Sequence, residues 1–146
     1  MIALIQRVAQ ASVIVDEVEV GAIGRGVLVL LGVESGDSEE QVVRLVHKVL
    51  NYRIFPDSAD KMNLSLHDIE GDILVVSQFT LAADTKKGLR PSFSSAAAPE
   101  IAQALYEKFC ATAAKMLTKP VQKGVFGADM QVSLVNDGPV TFSLKV

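Results

Sequence analysis

The sequence predicts an α/β fold in a single domain spanning residues 1–146, and three observations carry that prediction. Aliphatic runs with strand patterning fill the first 34 residues and recur near the middle and the end of the chain. Two segments, opening at Ser38 and at Pro99, place apolar residues at helical spacing. The run Val27-Leu28-Val29-Leu30-Leu31 has no polar face, the mark of a strand covered on both sides, so layers are expected on either side of the sheet.

In chain order, strands are expected over Ile2–Val8, Ser12–Val15, Val18–Ile23 and Gly26–Val33, with Asp16-Glu17 turning between the second and third. Ser38 with Gln41 has the capping-box form, and Val42, Val43, Leu45, Val46, Val49 and Leu50 follow at helical spacing, which predicts a helix over 39–53. Pro56–Asp60 reads as a turn, and 64–72 as a mixed connection. The strand Ile73–Val76 runs directly into the polar end Ser77-Gln78-Phe79-Thr80. Residues 82–98 change to Asp, Thr, Lys, Gly, Arg, Pro and Ser, a long surface loop of the length that often carries function. Pro99-Glu100 suits a first helical turn, and Ile101, Leu105, Phe109, Ala113 and Met116 form the expected buried face of a second helix ending near Leu117. Residues 119–127 connect to two last strands, 128–135 and 140–146.

Between those strands lies Asn136-Asp137-Gly138-Pro139, and two readings fit it. One is a turn joining two strands, since each of these residues favours turns for its own stereochemical reason. The other is a functional backbone element in which Gly allows close approach and Pro holds the chain, with the X-Pro bond able to be cis.

Composition narrows the function. Apolar residues make up 49% of the chain and mean hydropathy is +0.32, which fits either doubly covered strands or apolar surface buried against a second subunit. The net charge of -3 gives no global basic field for nucleic acid, so a polyanion would have to be met locally. Candidates are Lys86, Lys87 and Arg90, with Lys119 and Lys123 further on, although a solvated loop is the better reading of such a cluster. No apolar run reaches membrane-spanning length and the start is too short for a signal segment, so a cytoplasmic protein without membrane contact is expected. A single cysteine, Cys110, excludes an internal disulfide and a cysteine-based zinc site within one chain; it reads as a small apolar residue on a helix's buried side. His47 and His67 have no partner in sequence that would make either a base or a ligand.

Gly-rich phosphate loop, His-Glu-x-x-His, Gly-x-Ser-x-Gly and cysteine–histidine pairing are all missing, so no cofactor and no metal is expected. What remains is two polar strand ends, Ser77-Gln78-Phe79-Thr80 and Asn136–Thr141, both poor in groups that titrate near neutrality. A Thr80 nucleophile would need an adjacent base, and none is adjacent in sequence. Positioning is the more natural use: backbone N–H groups near Phe79 and Thr80 as oxyanion donors, and backbone carbonyls at Gly138-Pro139 shaping a pocket.

The pair Ser77-Gln78-Phe79-Thr80-Leu81 and Asn136-Asp137-Gly138-Pro139-Val140-Thr141 resembles the two signature motifs of the D-aminoacyl-tRNA deacylases. The likeness extends through Ile5-Gln6-Arg7-Val8, Ala11-Ser12-Val13, Tyr52-Arg53-Ile54-Phe55, Lys61-Met62-Asn63, Gly88-Leu89-Arg90-Pro91-Ser92-Phe93 and Phe126-Gly127-Ala128-Asp129-Met130, in the family's order. The resemblance implies a three-layer α/β/β homodimer with mixed, largely antiparallel strands and two main helices. It implies hydrolysis of the ester joining a D-amino acid to the terminal adenosine of tRNA. By the same resemblance, Gly138 and Pro139 form a cis peptide inserted into the partner subunit's site and set chiral selectivity. Ser77, Gln78, Phe79 and Thr80 line the opposing pocket, with Phe126 and Met130 nearby, and the RNA's own 2′-hydroxyl assists. Removing the Thr80 hydroxyl should then cost little, whereas near-complete loss would favour a Thr80 nucleophile. Rigid carbonyls that reject an L side chain by clash would accept D-amino acids broadly and also glycine, making glycyl-tRNA(Ala) a further substrate. DNA is not an expected partner. Gln122-Lys123 precedes Gly124 where the family commonly has Thr, which touches none of the motifs. A non-catalytic RNA-binding dimer of the same fold is the alternative.

Overall fold

The computed structural model describes residues 1–86 and 88–146. Its order is β1 (Ile2–Val15), β2 (Val18–Ile23), β3 (Gly26–Gly32), α1 (Glu39–Leu50), β4 (Phe55–Pro56), β5 (Met62–Leu64), β6 (Asp72–Ser77), a single 3-10 turn (Phe79–Ala82), α2 (Pro99–Met116), β7 (Gln122–Lys123) and β8 (Gln131–Lys145). The main sheet runs β2-β1-β3-β6-β7, with β8 on β1. Pairings β3–β6 and β6–β7 are parallel, and those of β1 with β2, β3 and β8 are antiparallel. This is the mixed, largely antiparallel α/β arrangement with two main helices that the sequence predicts.

The layers follow from which side chains share a core. Val27, Val29 and Leu31 of β3 and Ile73 and Val75 of β6 face the helices, where they meet Leu45 and Val49 of α1 and Leu105 and Phe109 of α2. The alternate residues Leu28, Leu74 and Val76 face the other way, onto Val8, Ala11, Val13 and Ile23. Both faces of β3 and β6 are therefore covered, which explains their unbroken apolar runs. The third layer is made by the far half of β1, the first half of β8, and β2. Gly21 of β2 approaches β7 so closely that a Cβ there would stand 3.0 Å from the Lys123 carbonyl oxygen.

β1 and β8 connect the layers. Ala3 and Ile5 of β1 and Val140 and Leu144 of β8 pack on the helix side, while Ala11, Val13, Val132 and Leu134 pack in the second cluster. The switch coincides with irregular pairing: Gln6 pairs Thr141, Val8 pairs Asn136 and Gln10 pairs Val135, so residues 137–140 bulge opposite Arg7, and Ala9 bulges in return. Bulges bend a strand, and here the bend carries two strands from one layer to the next.

Several expectations change. Residues 2–15 form one strand, because β8 pairs along it from end to end. Asn136–Pro139 is not a turn between two strands: the chain on both sides of it pairs antiparallel with β1, and β8 is continuous across a bulge. α1 ends at Leu50 rather than 53, where the Asn51 Nδ2 donates to the His47 carbonyl at 2.8 Å. Leu105, Phe109, Cys110 and Ala113 of α2 are buried as expected, but Ala102 and Tyr106 complete the buried face, and Ile101 and Met116 are exposed. Short strands β4, β5 and β7 lie within stretches read as connections. The Ser38–Gln41 capping box forms as expected, and Asp16 and Glu17, both at positive φ, make the β1–β2 turn.

Candidate active site

Parallel β3 and β6 end side by side, and ligand sites of α/β sheets gather at such carboxyl ends. A cavity of about 800 Å³ opens there. One wall is the end of β6 with its continuation, Val76, Ser77, Gln78 and Phe79; the other is Phe126, Gly127, Ala128, Met130 and Val132. Leu31, Val33, Phe93, the start of α2 and Tyr106 close the remainder.

Backbone contacts fix the first wall. The Gln78 N–H donates to the Leu31 carbonyl at 2.8 Å, holding the 3-10 turn against the end of β3. Gly32 makes that approach possible, since a Cβ there would lie 2.9 Å from the Leu81 Cβ and 3.2 Å from the Gln78 oxygen. Within the turn, Leu81 N–H donates to Gln78 O and Ala83 N–H to Thr80 O, but the N–H groups of Phe79 and Thr80 donate to no acceptor among the described residues. The Gln78 amide donates through Nε2 to Thr80 Oγ1 at 2.6 Å. An amide cannot take a proton from a hydroxyl, so this contact does not activate Thr80. Thr80 is exposed and is not part of the cavity lining. The Phe79 ring, also exposed, tilts against Phe93 at 5.1 Å between centroids.

On the second wall the Phe126 ring lies 5.9 Å from that of Tyr106, and Met130 Sδ sits against Gly124, where a Cβ would come within 2.6 Å of it. Among the described residues, the only titratable side chain lining the cavity is Tyr106. Burial pushes its phenol up, and its hydroxyl is committed to the Val75 carbonyl at 2.9 Å. His47 is exposed on α1 and His67 lies in the 65–71 turn, neither on the cavity. Cys110 is buried, and burial pushes its thiol up to about 11. Among the described residues, no three His, Cys, Asp or Glu side chains converge as metal ligands.

Gly138 and Pro139 lie elsewhere. They are exposed at the β8 bulge, outside this chain's cavity, and the bond between them is cis. A frame of polar contacts holds the bulge. Asn136 accepts from the Val140 N–H at 2.7 Å through Oδ1, and its Nδ2 donates to Val140 O at 3.3 Å and to Thr141 Oγ1 at 3.0 Å. Arg7 donates through Nε to the Asp137 carbonyl and through Nη1 to the Ile54 carbonyl, both at 2.7 Å.

Sequence reasoning brought Ser77, Gln78, Phe79, Phe126 and Met130 forward, and all five line the cavity. Thr80 lies just outside it, and Gly138-Pro139 well apart. Reasoning from sequence missed Tyr106 and Phe93 as lining residues, and gave Arg7 no role. Arg7 had one signal, a charge inside an apolar strand. Of the basic candidates, Lys119 pairs with Asp72 at 2.9 Å and Lys123 with Glu107 at 2.6 Å, so Lys123 is not simply solvated. Lys86 and Arg90 are exposed, and Lys87 lies outside the described residues. Among the described residues, no helix is long and apolar enough to cross a membrane.

Comparison with known proteins shows the family. Residues 4–145 match the family described as D-Tyr-tRNA(Tyr) deacylase. The D-aminoacyl-tRNA deacylase of Pseudoalteromonas translucida (strain TAC 125) is 64% identical over 143 residues, 98% of each chain. That of Haemophilus influenzae (strain ATCC 51907 / DSM 11121 / KW20 / Rd) is 61% identical over 146 residues and the full length of both. Among solved structures, the c-Myc DNA unwinding element binding protein superposes with a TM-score of 0.96 at 41% identity, over 100% of this chain and 99% of that one. A probable eukaryotic D-amino acid tRNA deacylase shares the fold, with a TM-score of 0.84 at 22% identity over 99% and 98% of the two chains. Fold and full-length likeness together define a hydrolase. The chain belongs to the D-Tyr-tRNA(Tyr) deacylase family, and its activity is that of a D-aminoacyl-tRNA deacylase.

Proposed function

We propose that the cavity at the ends of β3 and β6 holds the aminoacyl ester of the tRNA's terminal adenosine, and that hydrolysis there proceeds without a protein base. The observation that carries this is the lining: among the described residues its only titratable side chain is Tyr106, whose hydroxyl is already engaged. Ser77, Gln78, Phe79, Phe126 and Met130 bind and orient the substrate, and the unpaired N–H groups of Phe79 and Thr80 stabilise the oxyanion. One such donor is worth about 10²–10³ in rate. The ester is already activated, and the neighbouring 2′-hydroxyl of the ribose, donor and acceptor at once, assists attack by water. Selectivity comes from a second copy of the chain, whose exposed Gly138-Pro139 peptide enters the cavity and confronts the position an L side chain would take. Glycine has no side chain to confront, so glycyl-tRNA(Ala) is a further substrate. The enzyme works as a homodimer on tRNA in the cytoplasm.

The test is a pair of measurements on D-tyrosyl-tRNA. Thr80→Ala keeps kcat/KM within about fivefold of the parent, because the hydroxyl supplies no proton transfer. The pH profile of kcat/KM between about 6 and 9 shows no inflection from an enzyme group. Loss of activity by about 10³ or more in a folded Thr80→Ala protein, or a bell-shaped profile, points to a protein nucleophile or base and sinks the proposal.

A further inference from the structure

We infer that Tyr106 is a positioning residue for the deacylation: its hydroxyl fixes the backbone at Gly124, from which the Phe126–Met130 wall springs, and so sets how tightly the aminoacyl-adenosine is held. The inference rests on the cavity being the deacylase site.

Tyr106 is 1% exposed and reaches between the two walls from α2. Its hydroxyl donates to the Val75 carbonyl at 2.9 Å and lies 3.3 Å from the Gly124 carbonyl. A phenol has one proton, so the two carbonyls share it, the nearer taking the larger part. Val75 O also accepts the Gly124 N–H at 2.9 Å. One carbonyl of β6 thus receives both the phenol and the backbone of the opposite wall, one residue before Val76 enters the cavity lining.

Beyond Gly124 the chain turns tightly, with Ala128 N–H donating to Val125 O at 3.2 Å and Gly127 at φ 75. The turn then returns along the same neighbours. Phe126 lies against the Tyr106 ring and Met130 Sδ against Gly124. Hinge, ring and thioether form one packed unit, held to β6 by the Gly124 N–H and, from the helix side, by the hydroxyl. For filling volume alone a phenylalanine would serve at position 106, as it does one helical turn on at Phe109. The hydroxyl is the part that packing does not require, and it bridges the two walls of the cavity.

Tyr106→Phe removes only that tether. Steady-state hydrolysis of D-tyrosyl-tRNA by this variant is expected to show KM raised about tenfold with kcat within about twofold, the split of an interaction that serves binding. The Kd for a non-hydrolysable amide analogue of D-tyrosyl-adenosine rises by a similar factor. Gly124→Ala, which displaces Met130 from the other side of the same unit, gives the same split without touching the phenol. A lower melting temperature or lower kcat with KM and Kd unchanged overturns the inference, because a merely structural phenol reduces the folded fraction without altering the affinity of what is folded. Parent protein that binds the analogue yet leaves D-tyrosyl-tRNA intact would contradict the deacylase reading and leave Kd to decide on Tyr106. No binding of the analogue by the parent overturns both.

Discussion

Arg7 stands opposite the four bulged residues of β8 and spends its guanidinium on backbone rather than on a carboxylate alone. Nε and Nη1 each hold a carbonyl at 2.7 Å, that of Asp137 in the bulge and that of Ile54 in the chain approaching β4. The Asp137 carboxylate adds a longer contact at 3.5 Å. A guanidinium can hold two divergent carbonyls because its donors are fixed in a plane, whereas an ammonium is a point donor. Arg7→Lys therefore keeps the charge and loses one anchor. The side chain is only 13% exposed, so stability falls by about 1.5–3 kcal/mol, the range for a hydrogen bond to a charged group, measured as a shifted urea midpoint. If Gly138-Pro139 is the chiral element, the ratio of D- to L-tyrosyl-tRNA hydrolysis also falls, because the residue before it is no longer held. An unchanged midpoint and an unchanged ratio together would remove Arg7 from this role. Gly138 is constrained in another way: an added Cβ would meet the Val140 nitrogen at 2.7 Å, and a backbone atom cannot give way.

At the scale of elements, two loops between α1 and β6 are held by carboxylates, and they determine how the fold meets acid. Asp57 accepts the N–H groups of Ala59 at 2.8 Å and Lys61 at 3.0 Å, closing the β4–β5 turn. Asp68 accepts from Ser65 through both N–H and hydroxyl at 2.7 Å. The backbone hydrogen bond from Lys61 holds Asp57 below the usual carboxylate value, and that from Ser65 does the same for Asp68. A carboxylate lowered on folding contributes stability that is present above its unfolded value, 3.8 here, and is lost as pH falls through the folded value. The urea midpoint should be level from about pH 7 to 5 and fall below about 4. Asp57→Asn and Asp68→Asn start lower at neutral pH and converge on the parent in acid; parallel curves at all pH values would show that these carboxylates do not set the acid limb. The same elements show what sequence can and cannot reveal. The first helix was legible because its capping box is local, and the doubly covered strands because burial leaves no polar face. The second helix was legible in extent and over most of its buried face, Leu105, Phe109, Cys110 and Ala113, but not at Tyr106, whose partners lie across the core. Asn136–Pro139 looked like a turn because composition cannot tell that both flanking arms pair with one strand. Ser77–Phe79, Phe126 and Met130 were found through their motifs, but that they face each other across one cavity, with Tyr106 between, depends on β6 and β7 meeting in parallel.

The whole molecule separates two things that the proposed reaction needs together. The cavity sits at the carboxyl ends of β3 and β6, while the Gly138-Pro139 bulge projects from β8, two strands from β6 by way of β1 and β3, and lines no part of its own chain's cavity. A single chain thus offers a pocket without the bulge and a bulge without a pocket, and a symmetric pair can satisfy both at once, because a two-fold interface matches each patch with its complement on the other copy. Complementation tests this. One variant fills the cavity, Ala102→Trp, and keeps the bulge; another, Pro139→Ala with Gly138→Ala, alters the bulge and keeps the cavity. The first alone is expected to be nearly inactive on D-tyrosyl-tRNA, and the second to hydrolyse L-tyrosyl-tRNA as well as D-tyrosyl-tRNA. After the two are mixed, unfolded and refolded at equal amounts, random pairing makes about half of the dimers mixed, each with one intact cavity facing one intact bulge, so hydrolysis of L-tyrosyl-tRNA per intact cavity falls to about half of that of the second variant alone. If hydrolysis of L-tyrosyl-tRNA per intact cavity stays at the level of the second variant alone while sizing shows that mixed dimers have formed, the bulge has no part in the neighbouring cavity.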